Sequence, residues 1–386
     1  MGGDLFGLIK LRGKIFELNG SGRAAKAATI DFYEKNGYSR IPTRGPLAAL
    51  TVPGIVHAWG ELLRYASMEL KYLLAPAISY AENGVPVNAK YAASIRESEK
   101  LLGAFEGWRK LFMTEGEIPR PGYLLRQKDL ANSLRMISEQ GTKTFYKGEL
   151  ADKIVKGARE QGGLFCSEDL QLHESTWKNP ICTQYRGTRV YETSPNSQAA
   201  TVLLWLNMLE TFNIEKYSTD EDKYQEILIR AYLKANQERS KRIADPEFSP
   251  LPKEFTSKEC AKHLLSSDLL RSKVESSHAI GNDTTYFAVA DSEGNALSVI
   301  QSNFSGFGSG LVPRGTGIVL HNRGSYFSLD LSHHNAPSPG KRTFHTLCTS
   351  LGERDGQTLF AIGSMGGDVQ PQVHGQLHDK DSRFWH

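Results

Sequence analysis

The sequence predicts an α+β fold, with helices in the first part of the chain and strands in the last part. Segments with apolar residues at helical spacing recur before residue 274. After residue 274, short runs of β-branched, aromatic and small apolar residues alternate with turns that contain glycine. This order is typical of an α+β domain whose sheet is assembled largely from the C-terminal part of the chain.

The chain opens with an alternating segment that predicts a β-hairpin. Apolar residues recur at every second position over residues 5–19, and Gly13 supplies the turn. A helix is predicted at 24–35. The segment Thr51-Val52-Pro53-Gly54 then opens a further helix, which we expect to run through Tyr65.

The middle of the chain alternates amphipathic helices with one short strand pair. Cys182–Thr193 predicts two strands separated by a turn at Arg186-Gly187. The apolar helix predicted at 198–213 carries a stripe that is typical of a core. The stretch 274–282 has the composition of an exposed linker. The remaining predicted helices are 67–83, 88–105, 127–140, 148–161, 221–240 and 257–266.

A threonine-rich hairpin is the most informative stretch of the sequence. Two strand-like runs, Thr284–Asp291 and Ala296–Ser302, flank the polar turn Ser292-Glu293-Gly294-Asn295. This pattern predicts a β-hairpin with a four-residue loop, in which Thr284 lies near Ser302. From these residues alone, a plain hairpin and a reaction centre are both open.

A glycine pair follows the last predicted strand. Strands are expected near 316–321, 343–350 and 359–362, and the last of them ends in Gly363-Ser364-Met365-Gly366-Gly367-Asp368. Two consecutive glycine amides after a strand can converge on one oxygen, as an oxyanion hole requires. An ordinary β-turn is the alternative.

Composition and charge argue against several functional classes. The 386 residues carry a formal net charge of +3 and no basic run interleaved with aromatic residues, so we expect no nucleic-acid partner. No apolar run approaches the roughly 20 residues of a membrane-spanning helix. No signal peptide is recognisable either, which predicts a cytoplasmic protein that binds no membrane, although both chain ends look incomplete. The four cysteines and eleven histidines fit no metal motif, and we expect no metal and no organic cofactor.

These motifs, taken in order, resemble the γ-glutamyltranspeptidase family. Asp283–Asp291 followed by Gly294-Asn295-Ala296 is similar to the processing site of that family, and Gly363–Gly367 is similar to its glycine pair. Other matching motifs are Thr51–Gly54, Leu73–Ile78, Gly163–Leu170, Phe307–Gly310, Gly315–Ile318 and Pro339–Arg342. Since the matches extend over nearly the whole chain, the resemblance is specific.

The resemblance implies an N-terminal-nucleophile (Ntn) hydrolase with a four-layer αββα sandwich. Its precursor would cut itself between Asp283 and Thr284. The resulting fragments, 1–283 and 284–386, would stay associated as one structural domain and could form a homodimer. The Thr284 hydroxyl would then attack an amide of a small-molecule substrate and form an acyl-enzyme. The freed α-amine, with a reference pKa of about 7.7–8.0, would act as the base.

The resemblance also implies residues that support this chemistry. Thr285 would hold the geometry of the nucleophile, and Ser302 would contact the amine of Thr284. Gly366 and Gly367 would stabilise the oxyanion through their backbone N–H groups.

The positions expected to grip an amino-acid substrate depart from the family. The arginine expected after the first hairpin aligns with Ser21, and Arg23 lies two positions further on. The family asparagine aligns with Phe304. An acidic or amide residue and an aspartate align with Arg323 and Tyr326. Paired serines of the family align with His345 and Thr346. The candidate substrate-binding residues are therefore Arg23, Asn303, Arg323, Tyr326, His345 and Thr346.

Three hypotheses about function follow from these departures. The first is hydrolysis or transfer of γ-glutamyl groups from glutathione-type substrates, to water or to an amino acid. The substrate clamp, meaning the residues that bind the amino-acid end of the substrate, would then be altered. Because the aspartate is missing, a buried substrate ammonium group would cost several kcal/mol. The second is an acylase for glutaryl-type side chains without an α-amino group, where Arg323 and Arg23 would meet a lone carboxylate. The third, a non-enzymatic homologue, is disfavoured by the complete Asp-Thr-Thr and Gly-Gly sets.

Overall fold

The computed structural model describes residues 1–217, 220–266 and 283–384. The chain divides into two compact units. The first unit comprises Met1–Asp4, Gly20–Ser175 and Ser302–Arg342, and the second comprises Leu5–Asn19, Thr176–Gln301 and Thr343–His386. Each unit therefore takes in chain from both sides of the Asp283–Thr284 bond. The linker predicted at 274–282 lies outside the described residues.

The first unit is mainly helical. Its core gathers side chains from several helices, among them Ile95, Leu102 and Trp108, which are fully buried. The short strands β3 (Val85–Pro86) and β4 (Leu124–Leu125) form an antiparallel pair. The helices are α1 (Ile30–Lys35), α2 (Ile55–Leu62), α3 (Leu70–Asn83), α4 (Ala89–Leu102), α5 (Glu106–Phe112), α6 (Lys128–Gln140), α7 (Glu149–Arg159) and α8 (Ser167–Gln171).

Two predictions for the first unit were wrong. The helix predicted at 24–35 begins only at Ile30, where the Thr29 hydroxyl caps the helix. The backbone before Thr29 forms hydrogen bonds outside a helix: the Ala25 amide donates to the Leu50 carbonyl over 2.9 Å. The strand predicted at 316–321 does not form, because Gly315 and Gly317 adopt left-handed backbone angles, with φ of +73° and +63°.

The second unit contains two sheets. The first has the strand order β5-β2-β1-β9-β8, and the second is antiparallel with the order β11-β10-β7-β6. The strands of the first sheet are β1 (Asp4–Leu11), β2 (Lys14–Gly20), β5 (Thr176–Lys178), β8 (Asp283–Ala290) and β9 (Ala296–Phe304). Those of the second sheet are β6 (Ile181–Tyr185), β7 (Thr188–Glu192), β10 (Thr349–Arg354) and β11 (Gln357–Gly363). The predicted N-terminal hairpin and the strand pair around Arg186-Gly187 are confirmed.

The two sheets of the second unit pack face to face. Leu8 and Ala296 from the first sheet form one buried cluster with Leu351 from the second sheet. Phe6 and Ile300 meet Leu347, just before β10, in another cluster. Alternation along each strand places these apolar side chains between the sheets.

Helices cover the other face of the second sheet. They are α9 (Ala200–Leu209), α10 (Glu221–Arg242), α11 (Lys258–Ser266) and α12 (Gln370–Phe384). Every residue of α9 is buried, which confirms that its apolar stripe belongs to the core. The Thr183 hydroxyl of β6 bonds Asn207 of α9 at 2.6 Å, and the Tyr185 hydroxyl bonds Asp379 of α12 at 2.6 Å. Among the described residues, no helix combines the length and apolar character that crossing a bilayer requires.

Two details of the second unit differ from prediction. The hairpin between β8 and β9 closes where the Asp291 amide donates to the Asn295 carbonyl over 3.1 Å, so its loop has three residues rather than four. Gly294, with φ of +80°, supplies the left-handed position that such a loop needs. The strand predicted at 343–350 begins only at Thr349, because the backbone of His345 bonds Asn196 and Gln198 instead.

Candidate active site

The strand that carries Thr284 is anchored against the second sheet. Thr284 is the second residue of β8 and is half-buried. Two residues on, the Tyr286 ring lies against Gly363, where a Cβ atom would come within 2.1 Å of the ring. The Tyr286 hydroxyl pairs with the Ser298 hydroxyl at 2.9 Å, and burial raises the pKa of Tyr286. Only glycine at position 363 allows this contact.

The glycine pair forms a sharp, buried turn after β11. Gly366 and Gly367 have φ of +130° and +58°, angles that favour glycine. A Cβ on Gly366 would meet the Val369 side chain at 2.6 Å. Within the described part of the chain, neither of their N–H groups has a hydrogen-bond acceptor. Buried amides are nearly always paired, so two unpaired N–H groups in succession are available to donate hydrogen bonds to an oxyanion.

A buried network fixes this turn in place. Gln198 Nε2 donates to the Gly367 carbonyl over 2.9 Å and to the Thr346 carbonyl over 2.8 Å. Arg239 Nη1 donates in turn to Gln198 Oε1 over 2.5 Å, and it lies 3.2 Å from an Asp368 carboxylate oxygen. The side chains of Gln198, Arg239 and Asp368 are all buried. Gln198, which is itself held by Arg239, therefore fixes the Gly367 carbonyl at the end of the glycine turn.

Sequence reasoning missed this network. Gln198 and Arg239 are 41 positions apart, and Arg239 and Asp368 are 129 positions apart. A signal was nonetheless present in α10. Arg239 follows the buried Ala231 and Ala235 at intervals of four, and a charged residue on the apolar face of a helix needs a buried partner.

The predicted binding residues His345 and Thr346 lie in the second unit, next to this network. Both are buried. The His345 ring packs edge-on against Phe6, with centroids 4.9 Å apart, and its Nδ1 accepts from the Leu347 amide over 3.3 Å. The Thr346 carbonyl accepts from Gln198, while its hydroxyl is buried without a partner among the described residues.

Two of the predicted site residues, Arg323 and Tyr326, build an aromatic–cation cluster with Phe304 in the first unit. The Arg323 guanidinium lies over the Phe304 ring, 4.1 Å from its centroid, and 5.4 Å from the Tyr326 centroid. The Phe304 and Tyr326 rings meet edge-on at 5.0 Å. Arg323 is fully buried. A buried cation therefore occupies the region where the family resemblance leads us to expect acidic and amide side chains.

The other predicted residues of the first unit have backbone partners. The Ser302 hydroxyl accepts from the Phe304 amide over 2.8 Å. Arg23 Nη1 donates to the Gly340 carbonyl over 2.9 Å. Asn303 is half-buried beside Gly3, where a Cβ would meet Asn303 Oδ1 at 2.5 Å. Thr284, Thr285, Gly366, Gly367, His345 and Thr346 fall in the second unit, and Arg23, Ser302, Asn303, Arg323 and Tyr326 fall in the first.

Comparison with known proteins places the whole chain in one family. Residues 1–378 match the family model described as Gamma-glutamyltranspeptidase. The chain belongs to this family. The Glutathione hydrolase-like YwrD proenzyme of Bacillus subtilis (strain 168) is 39% identical over 357 residues, which cover 92% of this chain and 68% of that protein. The oxamate amidohydrolase proenzyme of Klebsiella pneumoniae is 35% identical over 387 residues, covering 98% of this chain and 72% of that protein.

A solved structure agrees with this assignment. The crystal structure of cephalosporin acylase from Bacillus halodurans superposes with a TM-score of 0.91 at 36% identity. The match covers 99% of this chain and 72% of that one. The predicted fold class, an α+β sandwich of the Ntn-hydrolase type, is therefore confirmed. The chain is a hydrolase of the γ-glutamyltranspeptidase family, similar to the acylase-like members.

Proposed function

We propose that the protein cleaves itself between Asp283 and Thr284 and then hydrolyses amides through an acyl-enzyme on Thr284. The observation that carries this proposal is the pair of buried amides at Gly366 and Gly367, which have no acceptor among the described residues. They follow the strand whose Gly363 contacts Tyr286, two residues after Thr284. Thr284 and the glycine turn thus belong to neighbouring strands of the second unit.

The chemistry requires three functions from these residues. The α-amine freed by cleavage takes the hydroxyl proton of Thr284 as its oxygen attacks the substrate carbonyl. The negative oxygen of the tetrahedral intermediate is stabilised by the Gly366 and Gly367 amides. The amine product leaves with the proton, and water then hydrolyses the threonine ester to restore the enzyme.

For the substrate, we propose an acyl group that carries a carboxylate and no α-ammonium group. Three features of the first unit support this choice. Arg323 is a buried cation, and the positions expected to hold the family asparagine and aspartate are Phe304 and Tyr326. A buried guanidinium attracts a carboxylate and repels an ammonium group. The names of two similar proteins, cephalosporin acylase and oxamate amidohydrolase, point to substrates other than glutathione.

A γ-glutamyl substrate is the second candidate, and a relative supports it. The protein that is 39% identical is named glutathione hydrolase-like. In this case the substrate ammonium group would need a partner other than the missing aspartate. The two candidates predict opposite orders of preference for substrates that differ by a single amino group.

Self-processing is tested by intact mass spectrometry of the purified chain. We expect the wild type to give two fragments, residues 1–283 and 284–386, that co-purify. Each compact unit takes in chain from both fragments, which supports their association. Thr284→Ala should remain one uncut chain without activity, and Thr284→Ser should still be cut because it keeps a hydroxyl. An uncut wild type, or a cut Thr284→Ala variant, would refute the proposal.

Substrate preference is tested with the processed enzyme. Glutaryl-p-nitroanilide and γ-glutamyl-p-nitroanilide share the same leaving group and differ only in the α-amino group. We expect kcat/KM for the glutaryl compound to be at least about 10-fold higher, since each 1.4 kcal/mol corresponds to a factor of ten. Higher kcat/KM for the γ-glutamyl compound would decide for the second candidate. Cleavage of neither by processed protein would reject both.

A further inference from the structure

A buried cluster of metal-binding side chains lies in the second unit, apart from the residues assigned to catalysis. Glu192 ends β7, and His374 and His378 lie four residues apart on α12. Residues at this spacing share one face of a helix. The side chains of Glu192, His374 and His378 are between 0 and 1% exposed. One ligand atom from each lies within 4.8 Å of the other two.

We propose that Glu192, His374 and His378 bind a divalent transition-metal cation of the zinc class. His374 Nδ1 lies 2.9 Å from Glu192 Oε1, and His378 Nε2 lies 3.7 Å from the same oxygen. Ligands at about 2.1 Å from a tetrahedral metal are separated by about 3.4 Å. The two distances bracket that value, and the third separation, between the two imidazole nitrogens, is no more than 4.8 Å.

The polar atoms of the cluster also indicate a missing partner. Glu192 Oε2 is buried and has no hydrogen-bond partner among the described residues, so the carboxylate has one oxygen available to a cation. A fully buried carboxylate without a compensating charge is unfavourable by several kcal/mol. A cation bound by the carboxylate removes this penalty. It also explains why two imidazoles and one carboxylate converge at a place without solvent.

The donor set selects the kind of cation. Two imidazole nitrogens with one carboxylate oxygen suit Zn²⁺ and neighbouring transition metals, whereas Mg²⁺ and Ca²⁺ prefer oxygen ligands. The Ser350 hydroxyl lies 3.1 Å from His378 Nε2 and offers a neutral oxygen for a fourth position. Because the ligands are buried, we assign the cation a structural role and expect it to enter during folding.

The cation would tie α12 to β7 and so steady the glycine turn. Helix α12 begins at Gln370, three residues after Gly367. Gln370 Oε1 already accepts from the Cys348 amide over 2.8 Å. Coordination one and two turns further along α12 would add a second attachment to the same sheet. Sequence spacing could not indicate this site, because Glu192 and His374 are 182 positions apart.

Metal content and affinity test the proposal on the full chain. The protein is unfolded in chelator and denaturant, then refolded with or without Zn²⁺, and the bound metal is counted by elemental analysis. We expect one Zn²⁺ per chain and a thermal midpoint several degrees higher than without the metal. Refolding with Co²⁺ should give the intense visible d–d absorption of a four- or five-coordinate site, a readout that needs no mutation and no activity.

Two near-isosteric variants and one surface control locate the ion. Glu192→Gln and His374→Gln should each lower Zn²⁺ affinity by at least about 100-fold. His333 and His334, whose rings stack at 4.3 Å, form a histidine pair remote in sequence from the proposed ligands. The double variant His333→Gln/His334→Gln should therefore keep one Zn²⁺ per chain. Absence of bound metal and of the Co²⁺ spectrum, or equal affinity in Glu192→Gln and wild type, would overturn the site.

Discussion

The glycine turn of the second unit keeps the residues of the family pattern, whereas the Arg323 cluster of the first unit departs from it. The turn keeps both glycines of the motif and is held by buried hydrogen bonds from Gln198. The Arg323 cluster occupies positions where the resemblance predicts acidic and amide side chains, and fills them with one cation and two aromatic rings. The proposed oxyanion site thus keeps the residues of the family motif, whereas the proposed substrate-binding positions do not.

The physical basis of this difference is that one region would act through backbone groups and the other through side chains. The proposed oxyanion contacts come from backbone N–H groups, whose direction depends on φ angles of +130° and +58° that other residues adopt at a cost. A clamp made of side chains can be exchanged without moving the backbone. Substrate choice can therefore diverge within a family while the acyl-transfer geometry is kept.

The largest effect is expected from a change in the turn itself. In Gly366→Ala, the new Cβ would meet the Val369 side chain at 2.6 Å and the residue would be strained at φ of +130°. The turn must shift, and at least one of the two N–H groups at positions 366 and 367 would no longer point toward the oxyanion. We expect kcat on the glutaryl anilide to fall by about 10²–10³-fold, with a smaller change in KM. Steady-state kinetics of processed enzyme measure both values.

A glycine in another turn provides the control for that variant. Gly356, between β10 and β11, has φ of +78° and open space around its Cα. Gly356→Ala introduces backbone strain at another positive φ without reaching the glycine pair, so kcat should stay within about 2-fold of wild type. Equal losses in both variants would mean that strain alone lowers activity. That result would contradict the proposed role of Gly366 in binding the oxyanion.

A smaller effect is expected from the clamp. Removing the charge in Arg323→Gln should lower kcat/KM for the glutaryl anilide by about 10–100-fold, because a hydrogen bond to a charged group contributes about 1.5–3 kcal/mol. An anilide of an uncharged acyl group, such as butyryl, should be affected far less. Arg323→Lys keeps the charge and should retain part of the activity. The comparison between turn and clamp fails if Arg323→Gln lowers turnover of both substrates equally.

The family residues can also be restored at the clamp. In Tyr326→Asp combined with Phe304→Asn, a carboxylate and an amide return to the positions where the resemblance predicts them. We expect the ratio of kcat/KM for the γ-glutamyl over the glutaryl anilide to rise by about 10-fold, since a substrate ammonium group gains a partner. An unchanged ratio would show that substrate choice is set by other residues.

Local motifs allowed most of the fold and part of the site to be predicted from sequence. The N-terminal hairpin, the strand pair around Arg186-Gly187 and the hairpin after Asp283 all depend on alternation and turn residues that are close in sequence. The Thr284 and Gly366-Gly367 motifs are equally local. Their proposed roles nonetheless rest on the family resemblance, because each motif alone is compatible with an ordinary turn.

Features built from distant residues were beyond prediction. The helix expected at 24–35 lost its first turn because the Ala24 and Ala25 amides bond the Lys341 and Leu50 carbonyls. The strand expected at 343–350 begins only at Thr349, because the backbone of His345 hydrogen-bonds the loop before α9. The network of Gln198 with Arg239, and the cluster of Glu192 with His374, likewise join residues that no short pattern connects.

The last predicted effect concerns stability rather than turnover, and it distinguishes the two units by the sign of their pH dependence. In the second unit, burial raises the pKa of Glu17 to about 7, although the Ser194 amide and hydroxyl donate to its carboxylate at 2.8 and 2.9 Å. In the first unit, burial and then the neighbouring His57 lower the pKa of His173 to about 3. Both groups are therefore favoured in their neutral forms by the fold.

The two shifts act in opposite directions as pH changes. Glu17 holds a proton in the folded chain at pH values where the unfolded chain has lost it, so its contribution to stability is complete below about 4.5 and is lost as pH rises through about 7. His173 behaves inversely: its contribution is complete above about 6.5 and is lost as pH falls toward about 3. Between pH 4.5 and 6.5 the slopes of the two contributions with pH have opposite signs and largely cancel in the wild type.

Replacing Glu17 by glutamine should expose the opposite slope of His173. A glutamine can still accept from the Ser194 amide and donate to its hydroxyl, and it does not titrate. The free energy of unfolding of Glu17→Gln minus that of wild type should rise by about 3 kcal/mol between pH 4.5 and 7.5. Urea unfolding at half-unit pH steps measures this difference. The control is Glu293→Gln, in the exposed turn between β8 and β9, whose difference from wild type should stay flat. A flat difference for Glu17→Gln as well would mean that the Glu17–Ser194 contact holds an ordinary ionised carboxylate.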